Sequence, residues 1–224
     1  MSANLINLLI EATGQTLYMV AISTLLGTMF GLPLGVFLAI SQRGELLSAP
    51  WVNKVLGLVV NATRSVPFII LVVAIIPFTR AIAGTSIGTT AAIVPLTIAA
   101  VPFIARLVEN AIREVDSGLI EAARAMGATP FQIIRKVLVP EALPSITLGL
   151  TLAVVSLIGY SAMVGAVGGE GLGDLGIRYG YQRFMPDVMA VVVVILIILV
   201  QLVQSIGEWI AARVDKRAPK GRGQ

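Results

Sequence analysis

The stretch VMAVVVVILIILVQLVQSIGEWI, residues 188–210, is long and apolar enough to cross a membrane. An apolar helix needs about 20 residues to span about 30 Å of hydrocarbon. This stretch contains a single charged residue, Glu208, close to its end. Four further segments meet the same length requirement, and they lie at about residues 17–40, 55–76, 88–105 and 146–167.

The composition also favours a membrane protein. Hydrophobic residues make up 57% of the 224 residues and charged residues 12%, whereas globular proteins have about 25% charged residues. We therefore predict an all-α membrane protein in which residues 1–224 form one domain with five transmembrane helices. Cys and His are absent, which excludes disulfides, thiolate or imidazole metal sites and histidine acid–base chemistry. We expect no catalytic residue and no metal site.

The distribution of Lys and Arg predicts the orientation of the chain. Segments 41–54, 106–145 and 211–224 together carry 12 of them, whereas the other connecting segments and the N-terminus carry 3. Cytoplasmic loops retain basic residues, so we expect the N-terminus outside and the C-terminus inside. The basic tail RVDKRAPKGRG, residues 213–223, then lies at the cytoplasmic membrane surface, where contact with anionic lipid explains it better than nucleic-acid binding.

The longest polar segment between two spans is predicted to contain a helical hairpin at about residues 117–139. Ser117 is a candidate N-cap for a helix that ends at Met126, and Gly127 suits the left-handed position after it. On this first helix Glu121 and Arg124 share one face. Its apolar face carries Leu119, Ala123 and Met126.

A second helix of the hairpin is predicted to begin at Pro130. The residues from Thr129 to Gln132 form a capping-box pattern, with proline at the first helical position. We expect this helix to end near Leu138, before Pro140 and Pro144. Its apolar residues Phe131, Ile134 and Leu138 oppose Arg135 and Lys136. Such a hairpin either lies on the bilayer surface or docks a soluble partner.

The hairpin carries a recognisable signature. Glu121-Ala122-Ala123, three residues, Gly127, nine residues and Val137-Leu138-Val139-Pro140 resemble the EAA signature of ABC importer permeases, with Val137 and Val139 in place of Ile and Leu. The resemblance implies coupling helices that sit in a cleft of the ATP-hydrolysing subunit. It assigns this coupling role to Glu121, Ala122, Ala123, Arg124, Met126, Gly127, Ala128 and Pro130.

Several other segments extend the resemblance over residues 15–205. They are similar to the permease subunit of methionine importers, which implies a type I ABC importer transmembrane domain in a bacterial inner membrane. The implied assembly is a homodimer with two cytoplasmic ATPase subunits and an extracytoplasmic substrate-binding protein or lipoprotein. It would move methionine by alternating access. The alternative substrate is another amino acid or small solute. These segments are NATRSVPF (61–68), IPFTR (76–80), GTSIG (84–88), AIVPL (92–96), PFIARLVEN (102–110) and GYSAM (159–163).

No phosphate-binding P-loop sequence occurs in the chain. We therefore expect this chain to bind no cofactor and to be no enzyme by itself, with ATP and Mg²⁺ held by a separate ATPase chain. The sequence GLGDLG, residues 171–176, matches a dinucleotide-binding pattern but follows a span instead of a strand. It is interpreted as a turn at the outer mouth of the pathway, together with Glu170 and Asp174, or as a flexible loop.

Two groups of residues within the spans are candidates for the pathway and for helix packing. Arg64 is the one charge deep in a span, where it pairs with a neighbouring helix or belongs to the pathway. Small residues four apart allow close helix approach in lipid, which predicts packing at Gly27, Gly31 and Gly35. The candidates for the pathway or gate are Arg64, Ser65, Pro67, Tyr160, Ser161 and Met163, although a methionine is also an ordinary filler between helices.

Two rival functions find less support in the sequence. An ion-coupled secondary transporter needs ionisable residues near the midplane, and within the predicted spans the only acidic residue is Glu208. An intramembrane enzyme needs a nucleophile with a base, and Ser161 stands in GYSAM, which departs from the G-x-S-x-G pattern.

Overall fold

The computed structural model describes residues 3–42 and 46–215, and helices dominate these residues. Most of the basic tail and Arg43, which entered the prediction of orientation, lie outside the described residues. The helices are α1 (Ala3–Ile40), α2 (Pro50–Ser65), α3 (Phe68–Ala74), α4 (Ile76–Ala83), α5 (Thr89–Arg113), α6 (Ser117–Ala125), α7 (Pro130–Ile133), α8 (Val139–Gly165), α9 (Gly171–Leu175) and α10 (Pro186–Val214), with π-helical turns at Ile134–Leu138 and Gly176–Tyr181.

Four helical runs in the described part of the chain are long and apolar enough to cross a membrane, and a bent pair supplies a fifth candidate. The long runs contain α1, α5, the continuous stretch from α7 to α8, and α10. Helix α5 continues through Pro95 and Pro102, so neither proline ends it. The all-helical membrane architecture is confirmed.

The bent pair is formed by α2 and α3, where one span was expected at residues 55–76. Helix α2 ends at Ser65, α3 begins at Phe68, and the two axes differ by 101°. Val66 has φ −80° and ψ 126°, an extended conformation. A residue before proline is driven out of the helical region by the proline ring, so Pro67 accounts for the break.

Helix α1 begins at Ala3, well before the expected start at residue 17. Its 38 residues extend about 57 Å, almost twice the hydrocarbon thickness. Leu5, Leu9 and Ala12 recur on one face of the added turns and form a buried cluster with Leu172 and Val188 of α9 and α10. Contacts with other helices therefore stabilise this part of α1, and such contacts are not visible in a hydropathy pattern.

The middle of α1 lies against α5, which is the central helix of the fold. Gly27, Gly31 and Gly35 face α5, and a Cβ atom at any of them would come within 3.0 Å of Ala100, Val101 or Ala105. Close approach of the two backbones therefore requires glycine at these positions.

The sequence predicted that the second helix of the hairpin ends near Leu138. In the structure this helix continues into α8. Helix α7, the π-helical turn Ile134–Leu138 and α8 form one continuous run, with Pro140 in the first turn of α8 and Pro144 inside it. A π-helical turn widens the helix, and we attribute the tolerance of Pro140 to this wider turn, which accommodates a residue that cannot donate a backbone hydrogen bond.

The GLGDLG segment is neither a turn nor a flexible loop. Residues Gly171–Leu175 form α9, and Leu172 is fully buried. A Cβ at Gly173 would collide with the backbone of Ala162 in α8. The glycines thus permit close contact between helices. In a sequence, glycines with this role cannot be told from glycines of a flexible loop.

Candidate coupling and pathway sites

The first helix of the hairpin is capped by Asp116, one residue before the predicted cap Ser117. The Asp116 carboxylate accepts a hydrogen bond of 2.7 Å from the amide of Gly118. Two potential capping residues stand side by side in the sequence, and only the geometry of the preceding turn selects between them.

Gly127 ends this helix in the left-handed conformation that the sequence predicted, with φ 77°. The amide of Gly127 donates to the carbonyl of Arg124 at 2.9 Å, and the amide of Ala128 donates to the carbonyl of Ala123 at 3.1 Å. These two bonds form a Schellman motif, which reverses the chain toward α7.

The capping box at the start of α7 is confirmed. The backbone amide of Gln132 donates to the Thr129 hydroxyl at 3.4 Å, and the backbone amide of Thr129 donates to the Gln132 side-chain oxygen at 2.9 Å. The turn between the two helices is therefore closed on both sides by local hydrogen bonds, so the hairpin has a defined shape.

The apolar residues of the hairpin differ in burial within the subunit. Ala123 and Ile133 are buried against the core, whereas Met126 is 82% and Phe131 69% exposed. Leu119 is also exposed, so Leu119, Met126 and Phe131 of the predicted apolar faces remain free of contact with the core of the subunit. Of the remaining candidate coupling residues, Ala128 is half-buried, and those exposed are Glu121, Ala122, Arg124, Gly127 and Pro130.

A cleft of about 310 Å³ separates α6 from the ends of α1 and α5. Glu121 and Arg124 line it on the hairpin side, and Arg113 lines it on the α5 side. The polar residues of the hairpin therefore face both the surroundings and a cleft within the subunit.

An ion-pair network around the buried Glu109 lies near the end of α5 and was not predicted from the sequence. Glu109 is 2% exposed and forms salt bridges with Arg106, at 2.6 Å, and with Arg113. Arg106 also donates to the side-chain oxygen of Asn61 in α2 at 2.6 Å. The predicted third span ended at residue 105, but α5 continues to Arg113. The spacing of 3 and 4 residues around Glu109 was the available signal.

Two of the pathway candidates, Arg64 and Tyr160, line one pocket of about 140 Å³ between α2, α3, α5 and α8. Tyr160 stacks on Phe68 with ring centroids 4.4 Å apart and planes 11° from parallel. The Arg64 guanidinium lies 5.9 Å from the ring centroid of Phe103. We call this the aromatic pocket, and it is lined by Thr63, Arg64, Val66, Phe68, Leu71, Ala99, Phe103 and Tyr160.

The other pathway candidates lie outside the lining of the aromatic pocket. Ser65 donates to the Asn61 carbonyl at 2.8 Å. Ser161 is buried and donates to the Ile158 carbonyl at 2.7 Å. Met163 is 46% exposed, and Pro67 forms the break between α2 and α3.

The end of the fold that holds α9 is closed by contacts among distant segments. The Thr89 hydroxyl donates to Glu170 at 2.5 Å, and the Gly88 amide donates to the Gly168 carbonyl at 2.8 Å. Asp174 forms a salt bridge with Arg178 at 2.7 Å. The acidic residues expected at an outer mouth thus have partners within the chain.

Comparisons with known proteins agree with this architecture. Residues 31–218 match the family of binding-protein-dependent transport system inner membrane components. The chain is 59% identical over 211 residues to the probable D-methionine transport system permease protein MetI of Vibrio cholerae, covering 94% of each chain. It is 52% identical over 165 residues to the D-methionine transport system permease protein MetI of Escherichia coli, covering 74% of this chain and 76% of that protein.

Solved structures show the same fold. A chain of the inward-facing MetNI methionine ABC transporter superimposes with a TM-score of 0.94 at 50% identity, covering 96% of this chain and 100% of that one. A chain of an amino acid ABC transporter solved with histidines superimposes with a TM-score of 0.78 at 20% identity, covering 92% of this chain and 94% of that one. The second likeness concerns the fold alone.

Proposed function

The chain belongs to the family of binding-protein-dependent transport system inner membrane components, and we propose that two copies of it form the path through which an ATP-driven importer moves methionine. It is an ABC transporter permease of the inner membrane. The observation that carries methionine as substrate is the 59% identity, along 94% of the chain, with a permease named for D-methionine transport.

A separate ATPase subunit supplies the energy in this proposal. ATP and Mg²⁺ bind to that subunit, because the permease has no P-loop sequence. Met126 and Phe131 are exposed on the hairpin, and burying these large apolar side chains against a partner would be favourable, which supports docking. One hairpin from each permease copy would bind one ATPase subunit.

The connection between hairpin and membrane helix supports a mechanism of alternating access. The hairpin's second helix is continuous with α8, so the run from Pro130 to Gly165 transmits a displacement of the hairpin along 36 residues. Tyr160 of the aromatic pocket lies near the far end of this run. Closure of the ATPase pair would shift the hairpins and with them one wall of the pathway.

The proposed orientation places the hairpin and the C-terminus in the cytoplasm and the N-terminus outside. The excess of Lys and Arg in the segments placed inside supports this topology. A substrate-binding protein would then deliver methionine at the end of the fold that contains α9, on the side opposite the ATPase.

Reconstitution tests the function directly. The permease, the ATPase subunit and the binding protein are placed in proteoliposomes, and uptake of labelled methionine is measured with and without ATP. We expect uptake that requires ATP and all three components. Uptake of a different amino acid but not methionine would overturn the substrate, and ATP-independent uptake driven by an ion gradient would overturn the ABC mechanism.

A further inference from the structure

The aromatic pocket combines one positive charge with several apolar and aromatic side chains. Arg64 lies in the last turn of α2, beside the break at Pro67, and its guanidinium is near Phe103. The remaining wall contains the stacked rings of Phe68 and Tyr160. None of the eight lining residues is acidic, so within the described chain the pocket wall carries one positive charge, and five of its eight side chains are apolar.

These groups fit the two ends of an apolar amino acid. A guanidinium binds a carboxylate through two parallel hydrogen bonds, which are among the strong hydrogen bonds in proteins. Aromatic rings make favourable contacts with a thioether and with aliphatic groups. The Thr63 hydroxyl proton is not available to a ligand, since it is donated to the Val59 carbonyl at 2.9 Å.

We propose that the aromatic pocket is a substrate site within the permease itself. Arg64 binds the α-carboxylate of a neutral amino acid, and Phe68, Phe103 and Tyr160 hold its apolar side chain. The pocket volume of about 140 Å³ suits a single small solute, because pockets for drug-sized ligands measure about 300 Å³ or more. This inference rests on the proposed function for the identity of the ligand, methionine.

The positions of the lining residues also imply selectivity and release. A cationic side chain would lie near Arg64 without a carboxylate to neutralise it, so lysine and arginine are disfavoured as ligands. Tyr160 belongs to the helix that continues into the hairpin, whereas Arg64 belongs to α2. A displacement of the hairpin therefore changes the distance between the two sides of the site, which would weaken binding at one stage of the cycle.

Photolabelling of the assembled transporter tests the site. The permease–ATPase complex is irradiated with a diazirine analogue of methionine that retains the free carboxylate, and labelled peptides are identified by mass spectrometry. We expect labels on peptides containing Phe103 or Tyr160. Arg64→Met should reduce this labelling about tenfold or more, since a charge-assisted hydrogen bond is lost. Arg64→Lys, which keeps the charge, should lose less.

The matched control is Arg80→Met, which also removes one positive charge. Arg80 lies on α4, donates to the Ser86 hydroxyl at 3.1 Å and is absent from the pocket lining. This variant should label as the unaltered complex does. A general effect of charge on assembly would lower labelling in both variants and would overturn the assignment of the carboxylate to Arg64.

Competition on the unaltered complex requires no variant. Excess methionine should abolish labelling of the pocket, whereas methionine amide, which lacks the carboxylate, should compete at least about tenfold less well. Equal competition by the amide, labelling confined to other regions, or absence of labelling in a complex that transports methionine would overturn the site. Failure of the unaltered complex to transport methionine would instead overturn the proposed function.

Discussion

Arg106 of α5 donates a hydrogen bond of 2.6 Å to the side-chain oxygen of Asn61 in α2. Asn61 precedes Arg64 by three residues, and Phe103 precedes Arg106 by three, so this bond and the Arg64–Phe103 contact are successive contacts along one helix pair. Arg106 is tied through Glu109 to Arg113, which lines the cleft beside the hairpin. A continuous set of contacts therefore connects the hairpin region with the aromatic pocket.

Glu109→Gln should destabilise the protein. The change leaves Arg106 and Arg113 without their shared carboxylate, and loss of hydrogen bonds to charged groups costs about 1.5–3 kcal/mol each in partly buried settings. Both arginines retain some exposure, so water compensates part of each lost bond, and we expect a total loss of about 2 kcal/mol, below the sum for two fully buried bonds. Thermal unfolding of the purified protein in detergent measures it. Glu11→Gln, an exposed site on α1, is the control and should leave the unfolding temperature unchanged.

Gly127→Ala should weaken the hairpin by about 1–2 kcal/mol, because a Cβ is disfavoured in the left-handed conformation that Gly127 adopts, with φ 77°. No heavy atom lies within 4 Å of the added Cβ, so a clash contributes nothing. We expect reduced recovery of the ATPase subunit in co-purification. Gly127→Asn should retain more of it, since asparagine tolerates this conformation. Equal loss in both variants would contradict the conformational explanation.

Met126→Glu should impair ATPase binding without unfolding the permease. Met126 is 82% exposed, so a charge there is solvated in the isolated subunit but is buried unpaired in the proposed interface. A loss of about tenfold or more in affinity is expected if Met126 is an interface anchor. Binding of the purified ATPase is measured alongside thermal unfolding. Met126→Leu should bind normally, and an unchanged affinity of Met126→Glu would remove this residue from the interface.

Gly31→Ala should destabilise the contact between α1 and α5. The added Cβ would lie 2.8 Å from the carbonyl oxygen of Val101, so the helices must separate, at about 1–3 kcal/mol. Gly14→Ala is the matched control on the same helix, because no heavy atom lies within 4 Å of its added Cβ. We expect a lower unfolding temperature for Gly31→Ala alone. Equal unfolding temperatures for the two variants would show that α1 repacks freely.

Much of the fold and of the hairpin was predictable because their signals are local. A run of apolar residues identifies a span wherever it occurs, and the capping box at Thr129 and the left-handed glycine at Gly127 act within one turn of chain. The EAA spacing is likewise a property of consecutive residues. None of these signals requires knowledge of a distant segment.

Other features depended on segments that are distant in sequence. The first turns of α1 are helical where Leu5 and Leu9 contact α9 and α10. Arg106, which pairs with the buried Glu109 of its own helix, also donates a hydrogen bond to Asn61 of α2. Similarly, the exposed Phe131 and the buried Ile133 differ only in which side of the hairpin meets the core.

The amino-acid order alone was therefore enough to predict a helical membrane protein with a helical hairpin between two of its spans, because hydrophobicity and capping are read from neighbouring residues. The aromatic pocket came from the folded chain, since Arg64, Phe103 and Tyr160 belong to three helices whose approach depends on packing along their whole lengths. The sharp bend at Pro67 depends on both the sequence and the tertiary structure. Proline disfavours a helical conformation in the residue before it, whereas the 101° angle depends on where α2 and α3 pack.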